Sequence, residues 1–416
     1  MIPWFVGSVV RREGRKFLEF SDKIDLSRIA GEGRTHIDRV SLYIHIPFCR
    51  TLCPFCCFNR YLYKEEQARS YFADLRRELD MYVGLGFKFN DVYFGGGTPT
   101  VLMDELDYFI NYLRSKFEAR RISLETTPRE LTSETIGLLR QLGINRLSVG
   151  VQSFDDGLLK DMGRTLFKGA DSIEKLRLAG GKFDTVNVDL MFNFPTQTLE
   201  QFKADVKRFK TLGTDQATFY PLMSSPHKMD ALSRKFRVVD TSREKQFYDI
   251  ILHELLDSGY KASTAWCFSR GDRMIDEYIV DYDDYIGIGA GAVSFLGGDF
   301  LVNSFSLEGY HKLISDGRLP IVRMRLLSNP EHRRYYMLTK FFGMKLDAAA
   351  FRRRFKADIH SKLRAELLFF KTAGITREKD GIISVARRGM YPVGTMMKEF
   401  FASLNTLREY CIESGI

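Results

Sequence analysis

The stretch YIHIPFCRTLCPFCCFNRY, residues 43–61, decides the fold because it joins the end of a predicted strand to a cysteine-rich loop. Residues 41–46 alternate in polarity and are rich in β-forming types, which is typical of a strand end. Cys49, Cys53 and Cys56 follow in a C-x3-C-x2-C spacing. Three thiolates so close together can hold three corners of a cubic iron–sulfur cluster and leave one iron open to an exchangeable ligand.

Two other interpretations of the cysteine loop remain open. Zinc usually takes four ligands in two well-separated pairs, and the sequence has no second pair. The cysteines could also be buried without binding any metal. The spacing favours the iron–sulfur cluster over both.

The cysteine loop resembles the cluster loop of radical S-adenosylmethionine (SAM) enzymes. The flanking residues 43–49, YIHIPFC, resemble the oxygen-independent coproporphyrinogen III oxidase branch of that superfamily. In these enzymes the open iron chelates the amino and carboxylate groups of SAM, and reductive cleavage of SAM gives a 5′-deoxyadenosyl radical. The resemblance implies a 4Fe–4S cluster, SAM, and a reducing partner such as flavodoxin or ferredoxin.

Length and composition predict a soluble globular protein. The 416 residues suggest two or three domains, and 44% of them are hydrophobic and 28% charged. No apolar run is long enough for a membrane span, and the N-terminal basic residues follow the apolar ones, the reverse of a secretory signal. We therefore expect a cytoplasmic protein, in a compartment where thiols stay reduced.

Cysteine spacing and net charge bear on whether the protein has disulfide bonds and on which partners it binds. Four of the six cysteines lie within nine residues, which argues against a disulfide framework. The formal charge of +9 is compatible with an anionic partner, such as a membrane surface, nucleic acid or an acidic substrate. It is equally compatible with charge spread over a solvated surface, which we favour.

Residues 1–35 are predicted to form an N-terminal arm. Apolar side chains between Trp4 and Val10 precede Arg11, Arg12 and Arg15, so apolar and basic groups share one short segment. Two interpretations stay open, namely peripheral contact with a membrane and packing on the rest of the protein.

Residues 36–240 alternate between strand and helix patterns. The predicted strands are residues 42–46, 91–94, 122–126, 146–151, 185–192 and 216–221, and the predicted helices are 66–85, 103–117, 133–142, 155–162, 169–179 and 199–212. This alternation predicts an α/β fold, a partial (β/α)6 barrel of parallel strands. Chemistry in such barrels lies at the C-terminal strand ends, and the cysteine loop follows the first strand.

The pattern changes after residue 240. Residues 241–320 combine a helix at 243–256, an aromatic stretch around Trp266 and a glycine-rich stretch at 285–292, and they are predicted to extend the barrel and cover the substrate. Residues 321–416 are predicted to form a mainly helical, winged-helix-like domain, with a hairpin made by residues 382–386 and the following 387–389. Apolar positions interrupt its basic residues, so we expect no sequence-specific nucleic-acid binding.

The glycine motif GGGTPT, residues 95–100, follows the second strand directly. Without a Cβ in the way, backbone amides there can approach a ligand closely. An ordinary tight turn would explain the motif alone. One βα unit after the cysteine loop, it resembles the SAM-binding glycine motif of the superfamily.

Polar side chains end three further strands. The strand-end residues are Glu125, Gln152 and Asp189. Arg164 follows Gln152 by twelve positions. Such groups suit a ligand with ribose hydroxyls, an ammonium and a carboxylate. The alternative is that Glu125 is a surface residue at a strand end.

The coproporphyrinogen oxidase branch binds two SAM molecules, and the resemblance implies a contact set for each. The metal ligands would be Cys49, Cys53 and Cys56. The cluster-bound SAM would contact Tyr43, Phe55, Gly96 and Glu125, with Tyr43 and Glu125 as catalytic residues. The second SAM would contact Gly97, Thr98, Gln152, Arg164 and Asp189.

Two positions depart from the patterns of the porphyrin-related proteins. The oxidases carry a fourth cysteine where this chain has Phe58. The related heme-chaperone branch carries a histidine where this chain has Val293. Two SAM sites without these marks resemble the class C radical SAM methyltransferases, which transfer a methyl group from the second SAM to an sp2 carbon.

The sequence therefore predicts a C-methyltransferase with an aromatic or quinone-like acceptor, menaquinone being the named guess. Trp266 and Phe268 would suit a planar acceptor, or they could simply fill the gap between barrel and C-terminal domain. One alternative is coproporphyrinogen III decarboxylation or radical heme or porphyrin methylation. The other alternative is a non-catalytic heme chaperone.

Overall fold

The computed structural model describes residues 19–25, 27–30, 40–223, 225–271 and 278–416. Residues 1–18 of the predicted N-terminal arm lie outside the described residues. Ser21, near the end of that predicted arm, forms an isolated antiparallel bridge with Met324.

The described residues form one large sheet and two small ones. The strands are β1 (Val40–Ile46), β2 (Phe48–Cys49), β3 (Tyr61–Leu62), β4 (Phe89–Gly96), β5 (Arg121–Thr126), β6 (Arg146–Gln152), β7 (Thr185–Phe192), β8 (Gln216–Pro221), β9 (Lys261–Ala262), β10 (Cys267–Ser269), β11 (Asp284–Ile288), β12 (Val293–Leu296), β13 (Asp299–Asn303), β14 (Ile321–Leu326), β15 (Lys345–Asp347), β16 (Thr376–Lys379) and β17 (Ile382–Val385).

Helices cover the large sheet and build the C-terminal part. They are α1 (Ser27–Ala30), α2 (Glu65–Gly84), α3 (Met103–Lys116), α4 (Ser133–Gln141), α5 (Asp156–Asp161), α6 (Gly169–Ala179), α7 (Leu199–Thr211), α8 (Pro226–Lys235), α9 (Glu244–Leu255), α10 (Tyr278–Asp281), α11 (Leu307–Ser315), α12 (Asn329–Phe342), α13 (Ala348–Phe355), α14 (Ile359–Lys362), α15 (Arg364–Thr372) and α16 (Met390–Glu413).

The large sheet has the order β14-β13-β12-β11-β1-β4-β5-β6-β7-β8-β10-β9. The seven strands from β11 to β8 run parallel, and β12, β13, β14 and β10 pair antiparallel with their neighbours. Since the order has two ends, at β14 and β9, the barrel is open. The predicted α/β class with a partial barrel is confirmed.

The strands from β4 to β8 are parallel because helical crossover segments connect each of them to the next. β1 is buried along almost its whole length, which is typical of a parallel strand packed on both faces. Its neighbour α2 begins with Glu65 and Glu66, whose charges suit a helix N-terminus, and buries one apolar side. This packing brings the C-terminal ends of β1, β4, β5, β6 and β7 to one rim.

The C-terminal part is mainly helical, with the small sheet β15-β17-β16. The predicted hairpin is misplaced. In the structure a hairpin joins β16 to β17. The turn of this hairpin is Asp380-Gly381, with φ of 52° and 76°, and it therefore lies before residue 382. Paired positive φ values are typical of a two-residue hairpin turn, and residues 387–389 form a short 3-10 helix instead.

Among the described residues, no helix combines the length and the apolar character that a membrane-spanning segment needs.

Candidate active site

One cavity is lined by every residue that was predicted to bind the cluster or either of the two SAM molecules. It lies at the C-terminal ends of the parallel strands. The residues on its wall are Tyr43, Cys49, Cys53, Phe55, Cys56, Gly96, Gly97, Thr98, Glu125, Gln152, Arg164 and Asp189. These residues come from five neighbouring strands and the loops that follow them.

The cysteine loop is closed at its base by the short parallel pair β2 and β3. The backbone amide of Tyr61 donates to the carbonyl of Pro47 at 2.6 Å, and that of Cys56 donates to the carbonyl of Cys53 at 3.2 Å. All four cysteines from Cys49 to Cys57 are partly buried and free of disulfides. The loop therefore presents several thiols to one cavity.

The chemistry of the donor set fits an iron–sulfur cluster. A cubic cluster asks for separated thiolates because each one binds a different iron. The donor set of three soft sulfur atoms on one wall fits that group.

Burial is the largest cause that raises the pKa of the Cys49 thiol, to about 12, and the nearby Cys56 raises this pKa further. The Thr98 hydroxyl opposes both effects by donating to Cys49 Sγ at 3.8 Å. Binding to iron would hold the group as a thiolate, since a coordinating thiol is deprotonated by its metal.

The glycine motif packs directly against the cysteine loop. A Cβ on Gly97 would lie 2.7 Å from the carbonyl oxygen of Phe48, and Gly96 has φ of 115°. The amides of Gly97 and Thr98 donate to the carbonyls of Ile46 and Phe48 at 2.7 and 2.8 Å. Only glycine permits this close approach, which joins the ends of β1 and β4.

Glu125 is held among aromatic groups. Its carboxylate accepts hydrogen bonds from the Tyr93 hydroxyl at 2.9 Å and from the Gly96 amide at 3.1 Å. The ring of Tyr43 stacks on that of Tyr93 with centroids 6.1 Å apart. Glu125 is therefore held on the cavity wall by two hydrogen bonds, and its role towards SAM stays a prediction.

Tyr43, which is partly buried, pairs with the buried His45. Tyr43 Oη lies 2.9 Å from His45 Nδ1, and His45 Nε2 lies 2.8 Å from the carbonyl oxygen of Asn59. Burial raises the pKa of Tyr43 well above its usual value, with Glu125 as the next cause. Burial also lowers the pKa of His45 to about 4, so this ring is neutral at physiological pH.

Gln152 and Asp189 stand on neighbouring strands. The register between β6 and β7 shifts at Gly150 to Gln152, and Gln152 has φ of 73°, a conformation that non-glycine residues rarely adopt. This bulge places the Gln152 side chain on the cavity wall. Asp189 accepts hydrogen bonds from Ser148 at 2.9 Å and Asn187 at 2.7 Å.

Arg164 lies between Cys53 and Gly150. Its Nη1 is 3.7 Å from Cys53 Sγ, its Nη2 donates to the Gly150 carbonyl, and its buried Nε has no hydrogen-bond partner. Arg164 therefore touches the cysteine loop as well as the wall predicted for the second SAM. Its assignment to the second SAM stays a prediction.

Three cations that the sequence analysis missed donate to carbonyls of the cysteine loop. Arg60 reaches those of Cys53 and Cys56, Lys228 that of Cys56, and Arg408 that of Cys57. Arg408 comes from α16, at the far end of the chain. No local sequence signal could have indicated it, because 351 residues separate it from its partner.

Aromatic and aliphatic side chains line another part of the cavity. They come from the C-terminal end of β8 and the residues after it, from the segment around Trp266 and from α16, and are Tyr220, Met223, Trp266, Phe400, Phe401 and Leu404. Trp266 borders the cavity but is only 1% exposed and packs against Phe342 and Phe401, as in the alternative that it fills the gap between the barrel and the C-terminal part. Phe268 is fully buried against Phe219, with centroids 6.0 Å apart, so the prediction that it faces an acceptor is wrong.

Comparison with known proteins gives consistent similarities. Residues 43–209 match the family model of the radical SAM superfamily. The chain is 30% identical to the heme chaperone HemW of Lactococcus lactis subsp. lactis (strain IL1403), over 62% of this chain and 70% of that protein. It is 27% identical to the oxygen-independent coproporphyrinogen III oxidase of Escherichia coli (strain K12), over 84% of this chain and 81% of that protein.

A solved structure shows the same fold. The coproporphyrinogen III oxidase HemN from Escherichia coli aligns with a TM-score of 0.76 at 24% identity, over 92% of this chain and 95% of that chain. The likeness extends from the sheet into the helical C-terminal part, since it covers nearly all of both chains.

These relatives overturn the predicted methyltransferase and its menaquinone acceptor. The relatives at 27% to 30% identity are a heme chaperone and a coproporphyrinogen oxidase. The prediction was wrong because it read two SAM sites as a mark of methyl transfer, although the oxidase branch itself binds two. The departures at Phe58 and Val293 concern two side chains and cannot outweigh similarity along most of the chain.

Proposed function

This chain belongs to the radical SAM superfamily, in the branch of oxygen-independent coproporphyrinogen III oxidases and HemW heme chaperones, and we propose that it decarboxylates a tetrapyrrole with propionate side chains. One observation carries the proposal. A single cavity joins the predicted cluster and SAM residues to an aromatic chamber that also contains cations.

The side chains present fit a 4Fe–4S cluster and two SAM molecules, the cofactors of this family. Cys49, Cys53 and Cys56 would hold the cluster, while Gly96 and Gly97 let the glycine motif pack on the cysteine loop, where a Cβ would collide with His45 and Phe48. When bound, the cluster and its SAM supply a 5′-deoxyadenosyl radical that abstracts a hydrogen atom.

The aromatic chamber matches the chemistry of a tetrapyrrole. The rings of Tyr220 and Phe401, which are only partly buried on the cavity wall, can pack against a flat macrocycle. Arg60 and Arg408 stand at the cysteine-loop side of the same cavity and can meet carboxylates. A quinone would use the rings and leave these cations unmatched.

The protein contributes position and exclusion of water. Glu125 is fixed by Tyr93 and the Gly96 amide, so its oxygens can orient hydroxyl or ammonium groups without first reorganising. The neutral His45 holds the Tyr43 hydroxyl at 2.9 Å. Helix α16 lines one wall of the cavity and would limit the entry of water to the reacting groups.

The reaction balances per propionate. The substrate loses one hydrogen atom to 5′-deoxyadenosine, then carbon dioxide and one electron, and becomes a vinyl group. One SAM is consumed to methionine and 5′-deoxyadenosine with one electron from the reducing partner. The electron released at the end equals the one supplied at the start, so SAM is the net oxidant.

A second candidate is heme binding without turnover. The 30% identity to a HemW heme chaperone favours it, and the same aromatic chamber would accept heme. Val293, which lies on the cavity wall where the heme-chaperone branch is expected to carry histidine, removes a ligand that iron of heme could use.

The test is anaerobic incubation of the cluster-loaded protein with SAM, a reductant and coproporphyrinogen III. We expect 5′-deoxyadenosine and a tetrapyrrole that has lost carbon dioxide and two hydrogens, both measured by mass spectrometry. In Glu125→Gln both products should fall by at least about tenfold, since one oriented charge-assisted contact contributes about 1.5–3 kcal/mol, while the iron content should stay unchanged.

Two results would change the conclusion. Stable binding of heme without SAM cleavage in the presence of any porphyrinogen would replace decarboxylation by the chaperone function. Absence of both binding and turnover with all tetrapyrroles would end the proposal.

A further inference from the structure

Arg408 is a cation on the cavity wall, and among the described residues it forms no ion pair with an acidic side chain. Its Nη1 donates to the carbonyl of Cys57 and to Asn405 Oδ1, the latter at 2.7 Å. Its buried Nε has no hydrogen-bond partner. Partial burial lowers the pKa of the guanidinium, with Cys57 and Cys56 as the main opposing causes, yet arginine stays charged at physiological pH.

The guanidinium is held in place from three sides. Asn405, one turn earlier on α16, donates in turn to the carbonyl of Met223 at 3.3 Å. The ring of Phe58 lies under the guanidinium, with its centroid 5.5 Å from Arg408 Cζ. A fixed arginine loses little entropy when it binds a carboxylate, so this one is prepared for a ligand.

Phe58 links Arg408 to the specificity of this chain. It occupies the position where coproporphyrinogen oxidases are expected to carry a fourth cysteine, and it is 52% exposed. An exposed aromatic ring under a guanidinium is explained if the pair forms one surface for a ligand. Arg408 and Phe58 both lie on the same cavity wall as Trp266.

Arg60 makes a useful contrast. Its Nη2 donates to the carbonyls of Cys53 and Cys56, so it bridges two cysteines of the loop within the loop's own chain segment. Arg408 donates to a single loop carbonyl, that of Cys57, contacts the ring of Phe58, and reaches both from α16. Its removal would therefore disturb the loop less than removal of Arg60.

We propose that Arg408 binds a carboxylate of the substrate and thereby selects tetrapyrroles that carry a free acid beside the cysteine loop. This inference rests on the proposed function, since it assigns one side chain to the acidic edge of a tetrapyrrole whose ring packs near Tyr220 and Phe401. Phe58 supports the guanidinium from below, and Asn405 fixes its orientation.

The experiment measures equilibrium binding to the full cluster-loaded chain without reductant. The probes are coproporphyrin III, the stable oxidised form, and its tetramethyl ester, followed by the absorbance of the porphyrin. We expect the unmodified protein to bind the acid at least about tenfold more tightly than the ester. Arg408→Met should weaken binding of the acid by about 10- to 100-fold, because a hydrogen bond to a charged group contributes about 1.5–3 kcal/mol.

Controls separate this role from a general loss of structure. Arg408→Met should bind the ester as the unmodified protein does and keep its iron content, and Arg408→Lys should recover part of the affinity for the acid. Arg353→Met, which removes an exposed arginine of α13, should change neither affinity.

The outcomes distinguish the two proposals. Equal binding of the acid by the unmodified protein and Arg408→Met overturns the assignment of Arg408 and leaves the proposed function intact. Equal binding of acid and ester by the unmodified protein does the same. Failure of the unmodified protein to bind any tetrapyrrole overturns the proposed function and the role of Arg408 with it.

Discussion

Cys57 shows how two adjacent residues of one loop can have different roles. Its thiol lies 3.7 Å from the carbonyl oxygen of Phe55, and its own carbonyl accepts a hydrogen bond from Arg408. Burial raises the pKa of its thiol, while the nearby Lys228 and Arg408 oppose that effect. Cys57 is therefore a part of the loop's internal structure, in contact with α16.

A pair of variants tests the predicted ligand set. Cys56→Ala should abolish the visible absorbance of the cluster and reduce bound iron, because each thiolate closes one corner. Cys57→Ala should keep both, since its thiol is expected to hold no iron. The measurement is iron content with the visible spectrum after anaerobic reconstitution. Equal loss in both variants would show that the predicted ligand set is wrong.

Single site residues are predictable from the sequence where the signal is local. The cysteines and the glycine motif are recognisable because short spacings fix both what they bind and where they lie. Lys228 and Arg408 could not be found, because they reach the loop across 172 and 351 residues. Only the path of the chain in space brings these cations to the loop.

The elements of the barrel were predictable to within a few residues. Strand β7 and helix α6 have the predicted bounds, and α7 begins with a capping box between Thr198 and Gln201 that is visible in the sequence. The position of β11 beside β1 was not predictable, because a glycine-rich stretch is a weak strand signal. The predicted position of the hairpin was wrong for another reason, because the Asp380-Gly381 turn was not recognised in the sequence.

Helix α2 carries a buried carboxylate that ties it to the glycine-rich segment after β11. Glu78 accepts hydrogen bonds from the Tyr310 hydroxyl at 2.6 Å, the Gly289 amide at 2.7 Å and the Asn303 amide at 2.8 Å. Burial is the largest cause that raises its pKa to about 7, and these three donors lower that pKa without cancelling the effect. Glu78 therefore titrates near physiological pH.

The pH dependence of stability tests this link between elements. The folded state binds the proton of Glu78 more tightly than the unfolded state does, so its stabilising contribution is complete below about pH 4.5 and is lost as pH rises through about 7. The free energy of unfolding of the unmodified protein minus that of Glu78→Gln should fall across this window by on the order of 3 kcal/mol.

Urea denaturation at several pH values measures that difference. His45 and His332, whose pKa values are lowered to about 4 by burial, titrate in both proteins and cancel. A difference that stays constant over the window would mean that Glu78 is charged throughout.

On the scale of the whole molecule, the sheet and the C-terminal helices share one hydrophobic core. The same buried cluster runs from Leu42 in β1 to Phe342 in α12 and Phe400 in α16. Helix α16, which lines the cavity, is therefore part of the same folded unit as the strands that carry the predicted cluster and SAM residues. A ligand bound between them would contact both, which couples its binding to the stability of the chain.

Trp266 stands at the centre of this shared core. It is 1% exposed, its ring lies 4.8 Å from that of Phe342 and 6.0 Å from that of Phe401, and Tyr220 packs on it from β8 at 5.9 Å. An added Cβ on Gly394 of α16 would come within 3.0 Å of the indole nitrogen. The sequence indicated an aromatic stretch here but not its partners in the C-terminal helices, which lie more than seventy residues away along the chain.

Truncation of Trp266 should therefore weaken the whole protein and not one domain. Trp266→Ala removes the contacts with both C-terminal helices and leaves a cavity, so we expect the free energy of unfolding to fall by about 3–5 kcal/mol. Trp266→Phe keeps an aromatic ring and should cost clearly less. Urea denaturation followed by far-ultraviolet circular dichroism measures both, and a single shared transition is expected in each. If Trp266→Ala instead unfolded the C-terminal helices in a separate, earlier transition, the sheet and those helices would be independent units.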